Sequence, residues 1–429
     1  MLAQFFKLPE NNTTVRIEIL AGITTFLTMA YIAFVNPAIL KTTGMDQDAV
    51  FVATCLAAAF GSIFMGVFAN YPIALAPGMG LNAYFAFTVV GQMHYSWQVA
   101  LGAVFISGLI FLVLSVLPVR EWIINAIPRS LKMAISAGIG LFLGIIAMQE
   151  AGIVVDHPVT LVTAGDLTKW PVILAALGFV LMVALDRLKI RGGIMIGILA
   201  VTVVAIILGL SKWNGIAAVP PNPMPVLLKL DLAGALNVGL ITIIFAFLFV
   251  DLFDNSGTLI GIAHRAGMLD KDGKVPRLSR ALVVDSTSAM VGAVLGTSTT
   301  TSYIESAAGI KVGGRTGLAA VVVGILFLLT LFFSPLAGAV PAFATAPALL
   351  FVACLMARGL AEIDWEDPTE YAPAVVTAIT MPLTYSIADG IAFGFITYTA
   401  IKLLSGRWSE LHPAVAILGV LFVVKFAFV

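Results

Sequence analysis

The chain has 429 residues, of which 60% are hydrophobic and only 11% are charged, whereas an ordinary soluble domain carries about 25% charged residues. So few charges cannot give a folded chain of this length a polar surface, so the composition excludes a soluble enzyme and indicates an integral membrane protein. The 23 basic and 23 acidic side chains balance, and there is no basic excess of the kind that indicates a nucleic-acid partner.

The chain begins with a charged tail, residues 1–16, which lacks the short apolar core and small-residue cleavage site of a removable signal peptide. Long apolar stretches follow, many of them close to the roughly 20 residues that a helix needs to cross a bilayer. We predict membrane segments, in chain order, near residues 17–41, 50–69, 97–117, 129–149, 170–187, 193–211, 236–262, 281–297, 316–334, 341–360, 372–404 and 412–428.

Two further stretches are too short or too interrupted to cross a membrane alone. Asn70 to Gln92 is interrupted by Pro72 and Pro77 before a short apolar helix can begin. Gly296 to Lys311 contains an extended-looking run of hydroxylated residues, Ser298 to Ser302, ahead of another short helix. Counted as half-spans, these two stretches are the third and tenth of fourteen segments.

Broken elements in corresponding positions of two halves are typical of secondary transporters built from inverted repeats, in which substrate binds where the breaks meet. We therefore predict an all-α polytopic membrane protein with fourteen transmembrane segments in two inverted repeats of seven. The alternative is that proline and glycine only kink two ordinary helices. Two breaks in register favour the transporter, because irregular backbone at membrane depth is tolerated only beside protein or a water-filled cavity.

The distribution of lysine and arginine predicts the orientation of the chain. With the N-terminus inside, most basic residues fall in inside connections, and those that fall outside are Lys41, Lys169, Lys212, Lys229, Lys402 and Arg407. This inside excess follows the positive-inside rule. We predict a multi-pass protein of the cell inner membrane with both termini cytoplasmic.

Several acidic residues lie inside apolar segments, where a charged group at the bilayer centre costs at least ~2.5 kcal/mol on insertion scales. Asp251 and Asp254 are three positions apart and so share one face of the eighth segment. Glu305 stands at the short helix that follows the second break, and Asn82 and Tyr84 occupy the matching place after the first. The predicted substrate-binding residues are Asp254, Glu305, Asn82, Asp251, Thr301 and Tyr84.

The residue types in this set indicate the kind of ligand. Free N–H groups at helix starts are donors, and carboxylates accept when ionised and donate when protonated. Because no basic residue joins them, the site suits a flat, neutral, hydrogen-bonding heterocycle better than an anion. A carboxylate out of water also takes up a proton more readily, so we predict proton symport, with Glu305 and Asp254 as the coupling residues.

Each candidate also has a structural alternative. Asp251 or Asp254 can tie helices together, Glu305 can cap its own short helix, and Asn82 can satisfy backbone freed by the break. Tyr84 can be a packing residue. For the remaining intramembrane acids, Asp285 and Asp389, a polar contact between helices is the expected role.

The sequence carries no signature of an enzyme. The histidines are scattered at positions 94, 157, 264 and 412, so there is neither an HExxH pair nor a clustered metal set. The chain contains no GxxxxGK[ST] loop for a nucleotide. We therefore predict a protein without catalytic activity, cofactor or metal.

Four motifs together resemble the nucleobase:cation symporter-2 family, in its azaguanine-type purine permease branch. They are the first segment TTVRIEILAGITTFLTMAYIAFVNPAIL, the first break with PGMGLNA, the helix LFDNSGTLIG, and the second break with YIES and GGRTGL. The resemblance covers nearly the whole chain, and LFDNSGTLIG with YIES and GGRTGL is especially similar to bacterial adenine permeases.

The resemblance implies a core domain of segments 1–4 and 8–11 and a gate domain of segments 5–7 and 12–14. On this sequence the core takes residues 17–119 and 212–334, and the gate takes residues 120–211 and 335–429. It also implies that carboxylates on the eighth and tenth segments, here Asp254 and Glu305, hold the substrate, with Asn82 in the same region. Many members of the family form homodimers through the gate, so the resemblance also implies a homodimer.

The predicted function is import of purine nucleobases, with adenine favoured over hypoxanthine and guanine, by proton symport with alternating access. The partners are then the purine, the proton and the lipid bilayer. The alternative is an anion or carboxylate transporter on a related inverted-repeat fold. A channel would require continuous polar stripes along several helices, and these are absent from the sequence.

Overall fold

A computed structural model describes residues 2–116, 127–213, 215–236, 241–265 and 277–428. Almost all of the regular structure in this part of the chain is helical. The α-helices, in chain order, are α1 Leu2–Phe5, α2 Val15–Met29, α3 Ile32–Lys41, α4 Gln47–Phe64, α5 Met79–Ala83, α6 Trp97–Val116, α7 Arg129–Glu150, α8 Trp170–Arg187, α9 Gly193–Ile207, α10 Leu232–Ala235, α11 Ile241–Arg265, α12 Leu278–Leu295, α13 Ser306–Lys311, α14 Gly317–Thr330, α15 Ser334–Ala339, α16 Ala342–Ala357, α17 Pro368–Thr384, α18 Ile387–Leu404 and α19 Pro413–Phe428.

Nine helical stretches in the described ranges are long and apolar enough to cross a membrane: Val15–Lys41, Gln47–Ala69, Trp97–Ser115, Arg129–Glu150, Trp170–Arg187, Leu278–Leu295, Gly317–Ala339, Ala342–Glu362 and Ile387–Leu404. Shorter apolar helical stretches occur at Gly193–Ile207, Ile243–Leu252 and Pro413–Val424. Many large apolar side chains on these helices are exposed, which is the surface that a bilayer covers. The helices agree with the predicted polytopic membrane protein.

Four short strands make up the rest of the regular structure described. β2, Val154–His157, and β3, Leu161–Ala164, form a local hairpin. β1, Leu75–Pro77, pairs antiparallel with β4, Thr300–Ser302, with Ala76 opposite Thr301. These last two strands come from the two predicted breaks, more than 200 positions apart.

The pairing of β1 with β4 explains how irregular backbone is accommodated at membrane depth. The ladder is extended at both ends, because Gly78 N donates to Thr299 O at 2.9 Å and Tyr303 N donates to Ala74 O at 2.9 Å. Each break therefore satisfies backbone groups of the other, as buried backbone requires. Gly78 is needed at this crossing, since a Cβ there would lie 2.6 Å from Cγ2 of Thr301.

The strands lead directly into short helices. β1 is followed by α5, which continues as a π-helix over Tyr84–Gln92, and β4 is followed after three residues by α13. The first segment, predicted as a continuous run over residues 17–41, is also interrupted, because α2 ends at Met29 and α3 begins at Ile32.

The prediction of one segment over residues 372–404 is wrong. This stretch forms two antiparallel helices, α17 and α18, that turn at Tyr385, whose φ of 55° is left-handed, and at Ser386, whose side chain accepts from Asp389 N. The far ends of the two helices meet where Lys402 Nζ lies 2.7 Å from Glu370 Oε1. Continuous hydrophobicity hid the turn, because a turn within an apolar hairpin needs few polar residues.

The chain divides into two compact units, residues 1–116 with 165–348 and residues 117–164 with 349–429. The first unit contains the paired strands. One of its cores consists of buried side chains of the second, third, eighth, ninth and tenth segments: Met65, Ala69, Tyr71, Ile73, Leu75, Leu259, Ile262, Ala281, Leu282, Val284 and Ile310. The second unit contains the α17–α18 hairpin and α19. The predicted core and gate ranges stay a prediction.

Candidate functional site

The crossed strands place the two predicted helix starts at opposite ends of one short ladder. Thr301 stands at the centre of β4, is 2% exposed, and faces Ala76 of β1. Asn82 lies in α5, five residues after β1 ends, and Glu305 lies three residues after β4 ends. Because both breaks enter the ladder, residues distant in sequence become neighbours.

Asn82 connects the first broken element to the second. Its side chain is fully buried, and its Oδ1 accepts a hydrogen bond from Ser298 Oγ, just before β4. Its Nδ2 has no hydrogen-bond partner in the described part of the chain. A buried donor of this kind is costly to leave unpaired.

The polar face of α11 meets β4 through Asn255. The Nδ2 of Asn255 donates to Asp251 Oδ1 at 2.8 Å, and its Oδ1 accepts from Thr301 Oγ1 at 2.7 Å and from Ser302 N at 3.1 Å. Asp251 is 1% exposed and Asn255 is fully buried. Asp251 is therefore brought to β4 through Asn255, one helical turn away.

Asp285 extends this network to the ninth segment. It is fully buried on α12, and its Oδ1 accepts from Ser302 Oγ at 2.9 Å. The contact joins a helix to β4 rather than to another helix. Asp389, in the first turn of α18, lies in the second unit and has its backbone N–H capped by Ser386.

Glu305 is half-buried at the start of α13. Its Oε1 accepts a hydrogen bond of 2.7 Å from the hydroxyl of Tyr31, which is 1% exposed at the interruption between α2 and α3. The break in the first segment thus contributes to the same site. Sequence reasoning missed Tyr31 because it lies in an apolar run with no spacing that distinguishes it.

The remaining two candidates lie on the same elements. Tyr84 is fully buried, and its ring packs edge-on against Phe247 of α11 with 5.0 Å between the ring centroids. Asp254 belongs to α11, three positions beyond Asp251, but its side chain lies outside the described residues. The structure therefore brings Asn82, Thr301 and Asp251 into one hydrogen-bonded region and places Glu305 beside Tyr31.

The chemistry of this region is that of hydrogen bonding without fixed positive charge. The groups that make the contacts described above are carboxylates, amides and hydroxyls, with no lysine or arginine among them. Two broken segments that pair at membrane depth with buried polar groups around them are the arrangement found in secondary transporters. Fold and site together define this class of protein.

Solved structures share the fold. The transmembrane domain of the cyanobacterial bicarbonate transporter BicA matches with a TM-score of 0.66 at 15% identity, covering 86% of this chain and 96% of that one. The murine anion transporter Slc26a9 in its inward-facing state matches with a TM-score of 0.66 at 11% identity, covering 91% and 69%. The chain is therefore a helical polytopic membrane protein of this inverted-repeat fold, as the sequence predicted.

Sequence comparisons give the family. The model described as "Permease family" matches residues 16–393, and the chain belongs to this family, the nucleobase:cation symporter-2 family that the motifs indicated. It is 51% identical to adenine permease AdeP of Escherichia coli over 429 residues, covering 100% of this chain and 96% of that protein. It is 48% identical to guanine/hypoxanthine permease PbuG of Bacillus subtilis over 436 residues, covering 99% of both. The chain is a permease and not an enzyme.

Proposed function

We propose that this chain imports purine nucleobases, with adenine favoured over hypoxanthine and guanine. The observation that carries the proposal is the buried network of carboxylate, amide and hydroxyl groups where the two broken segments cross. It is supported by relatives named as permeases for adenine and for guanine and hypoxanthine, which match over nearly the full length of this chain.

A purine presents N–H donors and ring-nitrogen acceptors in one plane. In the proposed site Glu305 and Asp254 accept from the N–H groups, and the Nδ2 of Asn82 donates to a ring nitrogen. Thr301 and Asp251 support this set through Asn255, to which both are hydrogen-bonded. A ligand that satisfies the buried Asn82 donor recovers a cost of about 1–3 kcal/mol that the unpaired amide bears.

Transport is coupled to protons in this proposal. A carboxylate at membrane depth is costly while charged, so Glu305 and Asp254 bind a proton with the purine on the outside and release both on the inside. Alternating access then requires movement of a core, residues 17–119 and 212–334, against a gate, residues 120–211 and 335–429. Homodimers form through the gate.

The finer topology is also part of the proposal. We place fourteen segments in two inverted repeats of seven, with β1 and β4 inside segments 3 and 10. The α17–α18 hairpin supplies segments 13 and 14, so the second repeat ends at Leu404. This assignment moves Lys402 and Arg407 to the cytoplasmic side, which increases the inside excess of basic residues. The N-terminus is cytoplasmic, and the protein lies in the cell inner membrane.

The hairpin changes the expectation for the C-terminus. α19 runs back along α18, because Phe426 stacks on Phe393 with 5.1 Å between ring centroids and Gly419 lies against Thr399. Its 16 residues extend about 24 Å at 1.5 Å per residue. We therefore place the C-terminus on the side opposite Leu404, in place of the cytoplasmic position that the sequence count suggested.

The alternative function is transport of an anion or carboxylate. The fold is compatible with it, since two of the solved structures with this fold are named as a bicarbonate transporter and an anion transporter. The site is not, because the carboxylates of Glu305 and Asp251 lie in the same region as its helix starts and would repel an anion, with no basic side chain among the contacts described to offset that charge. Competition distinguishes the two: unlabelled purines block uptake of labelled adenine, whereas sulfate and dicarboxylates leave it unchanged.

Uptake of labelled adenine in membrane vesicles tests the proposal. Glu305→Gln keeps the shape of the side chain and removes its charge, so we expect it to abolish accumulation driven by a proton gradient. The matched control is Glu366→Gln, the same change on an exposed side chain between α16 and α17, which retains accumulation. Accumulation that persists in Glu305→Gln, or that survives collapse of the proton gradient, would contradict the proposal.

A further inference from the structure

Tyr31 occupies an unusual position for a tyrosine. It lies where the first membrane segment is interrupted, is 1% exposed, and donates its hydroxyl to Glu305 Oε1, 274 positions further along the chain. The distance of 2.7 Å is the usual length of an O–H···O hydrogen bond. The interruption allows a side chain of the first segment to reach the carboxylate at the start of α13.

We propose that Tyr31 is a positioning residue for transport, which fixes the orientation of the Glu305 carboxylate, favours its ionised form, and so sets the pH at which Glu305 loads a proton. This inference rests on the proposed function, in which Glu305 binds the purine and carries the coupling proton.

The chemistry of the pair gives the direction of the effect. An ionised carboxylate only accepts, and a neutral tyrosine hydroxyl can donate to it. Such a charge-assisted bond is roughly twice as strong as one between neutral groups, and a low local dielectric strengthens it. The Tyr31 hydroxyl therefore opposes protonation of Glu305, and its removal makes protonation easier.

Other titratable residues belong to the helices packed against α13, which are α2 and α11. They are Arg16, Glu18, Asp251, Asp254, His264 and Arg265, with Tyr303 before α13 and Lys311 and Arg315 on and after it. Glu18 is fully buried and accepts from the backbone N–H groups of Arg315 and Thr316. All of these groups are unchanged by removal of the Tyr31 hydroxyl, so the pH effect of that change isolates Tyr31.

The test measures initial uptake of labelled adenine against external pH, with the pH difference across the membrane held constant. Tyr31→Phe removes only the hydroxyl. We expect the midpoint of the pH profile to move to higher pH by about one unit, a tenfold change in the protonation equilibrium and the size expected for one hydrogen bond to a charged group. Site-specific 3-fluorotyrosine at position 31 keeps ring and hydroxyl but makes the hydroxyl a stronger donor, so the midpoint moves to lower pH.

The matched control is Tyr71→Phe, which removes the hydroxyl of another tyrosine of the same unit that is also 1% exposed. Its pH midpoint stays at the wild-type value. The inference is overturned if Tyr31→Phe leaves the pH midpoint of uptake unchanged. If Tyr31→Phe does not accumulate adenine, the inference is overturned by an unchanged midpoint in the protein with 3-fluorotyrosine at position 31. If Glu305→Gln still accumulates adenine, the proposed function itself fails. If Glu305→Gln is inactive and neither change at Tyr31 moves the midpoint, only the role of Tyr31 is refuted.

Discussion

Asn255 is the single residue on which most of the polar network depends. Its amide is fully buried and makes three hydrogen bonds, to Asp251, Thr301 and the backbone of Ser302. An amide suits this place because it donates on one side and accepts on the other without carrying charge. A carboxylate there would repel Asp251 as a like charge. An alanine there would remove the hydrogen bonds that the amide makes to all three partners.

We expect Asn255→Ala to destabilise the protein by about 2–3 kcal/mol, since buried polar groups that lose a partner cost about 1–3 kcal/mol. Thermal unfolding of the purified protein in detergent measures the loss, and uptake of labelled adenine falls with it. Asn222→Ala is the matched control, because Asn222 is exposed and its side chain bonds only the nearby backbone N–H of Met224 in the described residues. If the two variants are equally stable, the hydrogen bonds of Asn255 contribute nothing to the stability of the protein.

Single residues of the site could be predicted to different extents. The carboxylates and Asn82 were identifiable because charged and amide groups are rare in apolar segments. Thr301 followed from the hydroxylated run at the second break. Asn255 is marked in the sequence only as a polar residue next to Asp254. Tyr31 could not be identified at all, because its role depends on contact with Glu305, a residue distant in sequence.

At the scale of elements, the second and eleventh segments cross with their backbones almost in contact. A Cβ on Gly66 would lie 2.3 Å from the carbonyl oxygen of Gly317, and a Cβ on Gly317 would lie 2.0 Å from the carbonyl oxygen of Gly66. Asn70 reinforces the crossing, since its Oδ1 accepts from Gly317 N at 2.7 Å. Backbone atoms cannot move aside cheaply, so both positions require glycine.

Gly66 lies in the π-helical turn Met65–Ala69 that follows α4. Gly66→Ala should therefore force this turn away from α14 and destabilise the protein by about 1–3 kcal/mol, the range for overpacked interiors. Gly338→Ala provides the comparison, because Gly338 lies in α15 and a Cβ added there would meet no atom within 4 Å. Alanine there is neutral or stabilises by up to about 1 kcal/mol. Unfolding temperatures in the same detergent measure both changes, and a Gly66→Ala protein as stable as wild type would contradict the crossing.

The open end of the α17–α18 hairpin is held by ion pairs. Arg407 forms an ion pair with Asp367 and donates to Thr369 Oγ1 at 2.8 Å, while Lys402 contacts Glu370 and Glu410, each at 2.7 Å. Hydrogen bonds from Arg407 and from Thr369 lower the pKa of Asp367 to about 2. The sequence prediction missed the hairpin. Once the hairpin is known, these ion pairs are expected, because the charged residues meet only when α17 and α18 are antiparallel.

The lowered pKa gives a pH prediction. In the unfolded chain the pKa of an aspartate is about 4, so the Asp367 contacts stabilise the hairpin fully above pH 4 and lose this effect as the pH falls towards 2. Asp367→Asn removes the effect at every pH. The difference in unfolding temperature between wild type and variant should therefore stay constant from pH 6 to about 4 and narrow as the pH falls from there towards 2. The control is Asp364→Asn, the same change on an exposed side chain of the same connection, whose unfolding temperature should differ from that of wild type by a small amount that does not change with pH. If the difference for Asp367→Asn is also independent of pH, the pairing of Asp367 with Arg407 is refuted.

For the whole molecule, the sequence predicted the architecture because hydrophobic length and broken segments are local signals. The third and tenth elements could be paired in advance by their matching places in the two halves. Their pairing as strands, with Ala76 opposite Thr301, could not, since register depends on contacts across the fold. The hairpin at residues 368–404 was missed for the opposite reason: its local signals, Ser386 before Asp389, were weak beside continuous hydrophobicity.

The orientation of this hairpin decides on which side of the membrane the second repeat ends. If α17 and α18 are separate segments, Ser405 is cytoplasmic, whereas the single segment predicted from sequence puts it outside. The two topologies can be distinguished by labelling single cysteines introduced into a protein that carries Cys55→Ser and Cys354→Ser.

Ser405→Cys, on an exposed residue, should react with a membrane-impermeant maleimide only after cells are permeabilised. Thr168→Cys, exposed before α8, lies in an outside connection under both topologies and should react in intact cells. Labelling of both cysteines in intact cells would restore a single segment at residues 372–404 and return α19 to the fourteenth place, with its C-terminus in the cytoplasm.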